Sequence, residues 1–135
     1  MSTQITIAVD AMGGDNSPSK VIDGIDLHSK NSNDVFYNIF GDLELLEKLI
    51  SKKNISKDKY NLIHTNEKIE GEDSPLSAAK KGKNTSMWLA VESVKSKESD
   101  AIISAGNTGA LFVIAKLNLE MIQNINKPAL SGLWP

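Results

Sequence analysis

A chain of 135 residues, 40% hydrophobic and 24% charged, has the size of one ordinary globular domain and enough apolar side chains to bury a core. A formal net charge of −2 excludes the basic footprint of a nucleic-acid binder, and the lack of cysteine excludes disulfides, thiolate metal centres and a cysteine nucleophile. No apolar run approaches the roughly 20 residues that span a bilayer. The N-terminus has no basic n-region and Asp10 interrupts the first apolar run, so the expected location is cytoplasmic. All 15 basic residues are lysine, read as compositional bias, and His28 and His64 show no ligand spacing.

Ile5–Asp10 is β-branched and mostly apolar, the pattern of a strand buried on both faces. Gly13 and Gly14 break it, and Ser17-Pro18 reads as an N-cap with proline at the first helical position. The helix is expected from Pro18 to about Ser29, with Val21, Ile22, Ile25 and Leu27 inward. Val35–Phe40 is a second strand stopped by Gly41. Asp42 caps a helix carrying Leu43, Leu46, Leu49 and Ile50 at helical spacing. Lys57-Asp58-Lys59 is a connector and Tyr60–His64 a third strand. This β-α-β-α-β order predicts a parallel sheet with right-handed crossovers.

From Thr65 to Ser86 the pattern changes. An acidic run (Glu67, Glu70, Glu72, Asp73) precedes Ser74-Pro75, and a short helix near Leu76–Lys81 ends at Gly82, with Lys80, Lys81 and Lys83 clustered around it. Two readings stay open: a solvated loop, or a mobile flap that carries lysines to an anionic ligand. Thr85 or Ser86 caps the next helix, with Met87, Leu89, Ala90, Val91 and Val94 on its apolar face. Ala101–Ser104 is the fourth strand, a helix follows from Thr108 to about Gln123, and Ala129–Trp134 reads as the start of a fifth strand.

Ligands of parallel α/β sheets bind beyond the carboxyl ends of the strands. Ser104-Ala105-Gly106-Asn107-Thr108-Gly109-Ala110-Leu111 joins a strand to a helix through small residues, so unpaired N–H groups and the helix dipole favour an anion there. Ala11–Pro18 has the same character, and the two loops face one cleft if their strands are neighbours. Gly13, Gly14, Gly106 and Gly109 let the backbone approach a phosphate, and Asn107 and Thr108 add side-chain donors. The alternative is that these glycines only permit tight turns. Neither a P-loop nor a GxGxxG fingerprint is present. Asp10 is expected to accept loop N–H bonds or to pair with a lysine, and Asp15 to cap the turn through an Asx bond, with a direct catalytic role as the alternative for both.

Ala8-Val9-Asp10-Ala11-Met12-Gly13-Gly14-Asp15, followed by Pro18, resembles the N-terminal signature of the bacterial phosphate acyltransferases of phospholipid synthesis, the PlsX family. Ser104–Leu111 resembles that family's second hallmark, and Asp73-Ser74-Pro75 with Lys80–Met87 is similar to its flap pattern. The resemblance covers essentially the whole chain. It implies an α/β/α fold with a mostly parallel sheet, similar to phosphate acetyltransferases and to the isocitrate and isopropylmalate dehydrogenase group. It also implies transfer of a fatty acyl group from acyl carrier protein to inorganic phosphate, giving acyl phosphate for phospholipid synthesis. Homodimers and peripheral membrane association come with it, and no metal, organic cofactor or nucleic-acid partner.

On these motifs the expected catalytic residues are Asn107, Thr108 and Lys83. Gly13, Gly14, Asp15, Ser104, Gly106, Gly109, Lys80 and Lys81 are expected to line the phosphate and acyl cleft. Phosphate is already an anionic nucleophile and a thiolate of pKa roughly 8.5 is a fair leaving group. Positioning and oxyanion stabilisation therefore suffice, and no strong acid–base pair is visible. Lys80 and Lys81 stand where the family pattern has arginines, which keeps the charge and loses the bidentate fork. The family's chains are more than twice this long, so residues 1–135 are read as the N-terminal α/β portion of the domain. An exposed sheet edge and an uncovered apolar face are expected where the C-terminal half is absent. Beside an active acyltransferase stand two alternatives, an inactive remnant and a small anion-binding α/β module.

Overall fold

The computed structural model describes residues 4–133. Strands β1 (Ile5–Asp10), β2 (Val35–Gly41), β3 (Tyr60–His64) and β4 (Ala101–Ser104) form one all-parallel sheet in the order β3-β2-β1-β4. Among the described residues five α-helices connect or flank them, α1 (Ser19–Asn31), α2 (Leu43–Ile50), α3 (Pro75–Lys80), α4 (Ser86–Lys95) and α5 (Thr108–Asn118), and the connector Lys57–Lys59 forms a short 3-10 turn. The expected α/β layering is present.

Strand alternation sorts the core onto two faces. Val9, Val35, Tyr37 and Ile39 point to one side and pack with Ile22 and Ile25 of α1 and Leu46 and Ile50 of α2. Ala8 and Phe40 point to the other side, against Ala90 of α4. Met87, Trp88 and Val91 of α4 join Ala110 and Ile114 of α5 in a neighbouring cluster. From β1 the chain steps through α1 and α2 to β3 with both helices on one face. It then crosses back over the opposite face through α3 and α4 and lands beside β1 as β4, which keeps each crossover right-handed.

The sequence expectations fail mainly at helix ends. Pro18 itself is the N-cap residue of α1 and makes no side-chain cap bond; the Ser17 hydroxyl donates to the Gly13 carbonyl at 2.5 Å instead. Leu27 is 66% exposed, so the inward stripe of α1 is narrower than expected. Asp42 and Thr85 cap α2 and α4 as anticipated, through bonds from Leu45 N–H (3.0 Å) and Trp88 N–H (3.3 Å). Helix α5 stops at Asn118 rather than near Gln123. There the Asn118 amide donates to the Ile114 carbonyl at 2.9 Å, a bond that competes with continuing the helical ladder. Ala129–Leu133 forms no strand, and Trp134 lies outside the described residues. Pro128, Ala129 and Leu130 line a depression beside Leu111, Phe112 and Ala115 of α5, so this segment follows the helix instead of a sheet edge.

Candidate functional site

The parallel register pairs Asp10 with Ser104, which sets the carboxyl ends of β1 and β4 side by side. Both glycine-rich loops therefore leave the sheet at one place, the condition under which they share a cleft.

Asp10 joins them. It is 1% exposed. Its Oδ1 accepts from Gly13 N–H (3.2 Å), Met12 N–H (3.3 Å) and the Ser86 hydroxyl at the start of α4 (2.6 Å). Its Oδ2 accepts from the Ser104 hydroxyl at 2.7 Å, and Ser104 Oγ in turn accepts from Gly106 N–H at 3.1 Å. One buried carboxylate thus holds the first loop directly and the second through a serine. A buried charge of this kind is tolerated only when such donors surround it. The Asx-type bonds expected of Asp15 are made by Asp10. Asp15 is exposed, and its side chain makes no hydrogen bond among the described residues.

The glycines answer to close approach as well as to turning. A methyl group at Gly13 would lie 2.4 Å from Asp10 Oδ2 and 3.0 Å from Gly106 Cα, so the two backbones touch here. Gly14 combines a φ of +92° with an Ala105 carbonyl oxygen 2.5 Å from where its Cβ would sit.

Above these loops opens a polar cleft of about 680 Å³, walled by Met12 and Gly14–Ser17 on one side, Lys68–Gly71 on the second and Ala105–Gly109 on the third. The backbone N–H groups of Gly14, Asp15, Asn16, Asn107, Thr108 and Gly109 make no hydrogen bond among the described residues. The last three open α5, where the first N–H groups of a helix lack internal partners.

Asn107 is committed on both sides of its amide. Oδ1 caps α5 by accepting from Ala110 N–H at 2.9 Å, while Nδ2 donates to the carbonyls of Gly71 (3.0 Å) and Asp73 (2.8 Å). It positions the loop and the 71–73 segment together. Thr108 lines the cleft and is exposed, and Ser104 lies beneath it, bonded to Asp10. Lys80, Lys81 and Lys83 are not among the residues lining the cleft. Lys81 pairs with Asp73 at 2.6 Å. That ammonium, followed by the Glu70 N–H, holds the Asp73 carboxyl below its ordinary value. At its base the 65–86 segment is tied down: the Thr65 hydroxyl donates to the Asn84 carbonyl and Ser86 N–H to the Glu67 carbonyl.

Two participants escaped the sequence reading. Lys68 is the lysine of the cleft wall, paired only loosely with Glu70 at 3.4 Å. It sits in a polar stretch without a motif. Ser86 reads as a helix cap, yet Thr85 takes that role and leaves Ser86 to turn inward to Asp10. Among the described residues no cluster of His, Cys, Asp or Glu suits a metal ion, and no helix is long and apolar enough to cross a membrane.

Residues 5–135 match the model of a family described as "Fatty acid synthesis protein". The chain belongs to this family. Over its full length it is 61% identical to a phosphate acyltransferase of Pelagibacter ubique, of which it covers 40%. It is 42% identical to a phosphate acyltransferase of Parvibaculum lavamentivorans and 38% identical to one of Paramagnetospirillum magneticum, covering all of this chain and 38% of each relative. The chain therefore spans about two fifths of the length of these relatives.

Proposed function

We propose that this chain is the phosphate-holding part of an acyltransferase that moves a fatty acyl group from acyl carrier protein to inorganic phosphate. One observation carries the reading: six unengaged backbone N–H groups from two glycine loops border a single cleft, with both loops fixed by Asp10. Amides held in this way suit an anion and need no reorganisation when it arrives.

In this reading the amides of Gly14–Asn16 and Asn107–Gly109 hold inorganic phosphate, with Lys68 supplying charge and the Thr108 hydroxyl a further donor. Asp15 and Glu70 also border the cleft, so the amides and Lys68 must outweigh their repulsion of the anion. A phosphate oxygen attacks the thioester carbonyl carbon, a C–O bond forms, and the tetrahedral oxyanion is stabilised by nearby donors. The C–S bond then breaks, and the carrier's thiol sulfur leaves as thiolate, to be protonated by solvent. Because the nucleophile is already anionic, positioning outweighs proton transfer. Lys80, Lys81 and Lys83 keep their place in the proposal only as charges around the 65–86 segment. Homodimerisation and peripheral membrane association belong to the same proposal for the complete enzyme.

The test is acyl-phosphate formation, followed by hydroxylamine trapping. It is run on this chain alone and on the chain fused to the polypeptide that follows the matched region in the Pelagibacter ubique relative. Turnover in the fusion, with Asn107→Ala raising the phosphate KM more than the carrier-protein KM, is expected. No turnover in either form sinks the reaction and favours an inactive remnant.

A further inference from the structure

Asp15, Ser17 and Ala105 border the polar cleft and also border a second depression, an almost wholly apolar groove of about 400 Å³ between α1 and the sheet. That volume falls in the roughly 300–1,000 Å³ range of small-molecule sites, in which apolar walls surround a few polar groups. Helix α1 runs back along the sheet from the end of β1, and Val21, Gly24, Ile25 and His28 form one stripe of it, at helical spacing, along the groove. Ile7 and Val9 of β1 supply the floor, and Ile103 of β4, 56% exposed, the open side.

Two details suit this groove to an unbranched chain. A Cβ at Gly24 would meet nothing within 4 Å, so the stripe is open at its middle. At the far end His28 Nδ1 and the hydroxyl of buried Tyr37 are hydrogen-bonded to each other at 2.6 Å, so that hydroxyl asks nothing of a ligand. The near end is polar, with Lys20 and Asp15 beside Ser17, and it adjoins the cleft with the unengaged amides. An anion seat that leads into a long apolar trough matches a single-tailed amphiphile. From Ser17 to His28 the stripe extends roughly 16 Å at about 1.5 Å per residue. An extended alkyl chain, with C–C bonds of ~1.5 Å, advances about 1.3 Å per carbon, so the groove accommodates roughly twelve carbons.

We propose that the groove between α1 and the β1–β4 face is the site of the alkyl chain of the acyl group, entered from the phosphate cleft past Ser17 and Ala105. The inference rests on the reading of the cleft as a phosphate site and adds to it the place, direction and length of the tail. The chain lies along Val21, Gly24 and Ile25, with Ile103 over its exposed side, and ends near the His28–Tyr37 pair. Burial of this remote tail fixes the carbonyl end beside the cleft, where a phosphate oxygen is held. Gly24 sets the free length of the trough and is its specificity-determining position.

The experiment is calorimetric binding of inorganic phosphate and of butyl, octyl, dodecyl and tetradecyl phosphate, each below its aggregation concentration. It is run on this chain and on its fusion to the polypeptide that follows the matched region in the Pelagibacter ubique relative. A fully buried methylene tightens binding about fourfold, and a groove open at Ile103 about twofold per carbon. Affinity is therefore expected to rise steadily from butyl to dodecyl phosphate and to level off beyond roughly twelve carbons. Gly24→Phe is expected to end the gain near about eight carbons, the reach from Ser17 to that position. Ile103→Asp is expected to flatten the series, and both variants to bind inorganic phosphate as the parent does. Three results overturn the inference: affinity that ignores chain length, a series unaltered by both substitutions, or a gain seen in the isolated chain and lost in the fusion, where polypeptide then fills the groove. Inorganic phosphate that binds without any gain from the tail sinks this inference and leaves the cleft reading standing. A fusion that shows the full series but forms no acyl phosphate supports the groove and sinks the reaction.

Discussion

The Ser86 hydroxyl reaches the Asp10 carboxylate at 2.6 Å across 76 residues of sequence, so the start of α4 and the end of the central strand are fastened inside the protein. Removing the hydroxyl leaves one lone pair of a buried charge short of a donor. Ser86→Ala is expected to lower stability by about 1–2 kcal/mol. Asp10→Ala strands two serine hydroxyls and two amides at once and is expected to cost roughly 3 kcal/mol. Urea titration reads both; a Ser86→Ala midpoint equal to that of the parent chain contradicts the first.

Two glycines separate close contact from mere flexibility. At Gly13 a methyl group meets Asp10 Oδ2 at 2.4 Å, so Gly13→Ala is expected to destabilise by about 1–3 kcal/mol through forced separation of the loops. Gly24, in the middle of α1, has open space around its absent Cβ. Gly24→Ala is expected to raise stability by about 0.5–1 kcal/mol. Thermal melts of the two variants should move in opposite directions.

Asn107 performs two tasks that substitution can split. Asn107→Asp keeps the oxygen that caps α5 and loses the donors to Gly71 and Asp73. It is expected to hold α5 while speeding amide exchange in residues 70–82. Asn107→Ala loses both tasks and adds a cap penalty of about 1 kcal/mol. Equal exchange profiles for the two variants would count against the division.

Acid should loosen the same segment. The Lys81 ammonium, then the Glu70 N–H, lowers the Asp73 pKa from its ordinary 3.8. A depressed folded-state pKa means that the contact contributes fully above the unfolded value and is lost as pH falls through the lower folded value. Exchange in residues 70–82, corrected for its intrinsic pH dependence, should therefore rise below about pH 4 in the parent chain. In Lys81→Met the change should be smaller and centred at higher pH. An identical profile in the two proteins rules out the pair as its cause.

Strands were legible because each is a β-branched or aromatic run ended by Asp, Gly, His or Ser at a turn, and β1, β3 and β4 match their expected limits to the residue. The cleft was legible through its glycines, whose spacing marks both loops. The ends of α1 and α5 were not, because Ser17 and Asn118 form local bonds that apolar periodicity does not encode. Lys68 was missed for a related reason. A single lysine in a polar loop becomes a cleft wall only once β1 and β4 are neighbours and the 65–86 segment is tied back at Thr65 and Asn84. The lysines at 80, 81 and 83 drew attention by clustering, which is a property of sequence and not of place.

Asp10 also bears on the order in which the molecule is built. Protein synthesis delivers β1 first, and β2 and β3 follow within the next residues, but the two hydroxyls that satisfy this carboxylate are carried by residues 86 and 104. Until the ribosome has released them, water must serve in their place, and Asp10 is bonded only to the Met12 and Gly13 amides of its own loop. The two loops can thus be joined through Asp10 only after the fourth strand is made, however early the first of them is synthesised.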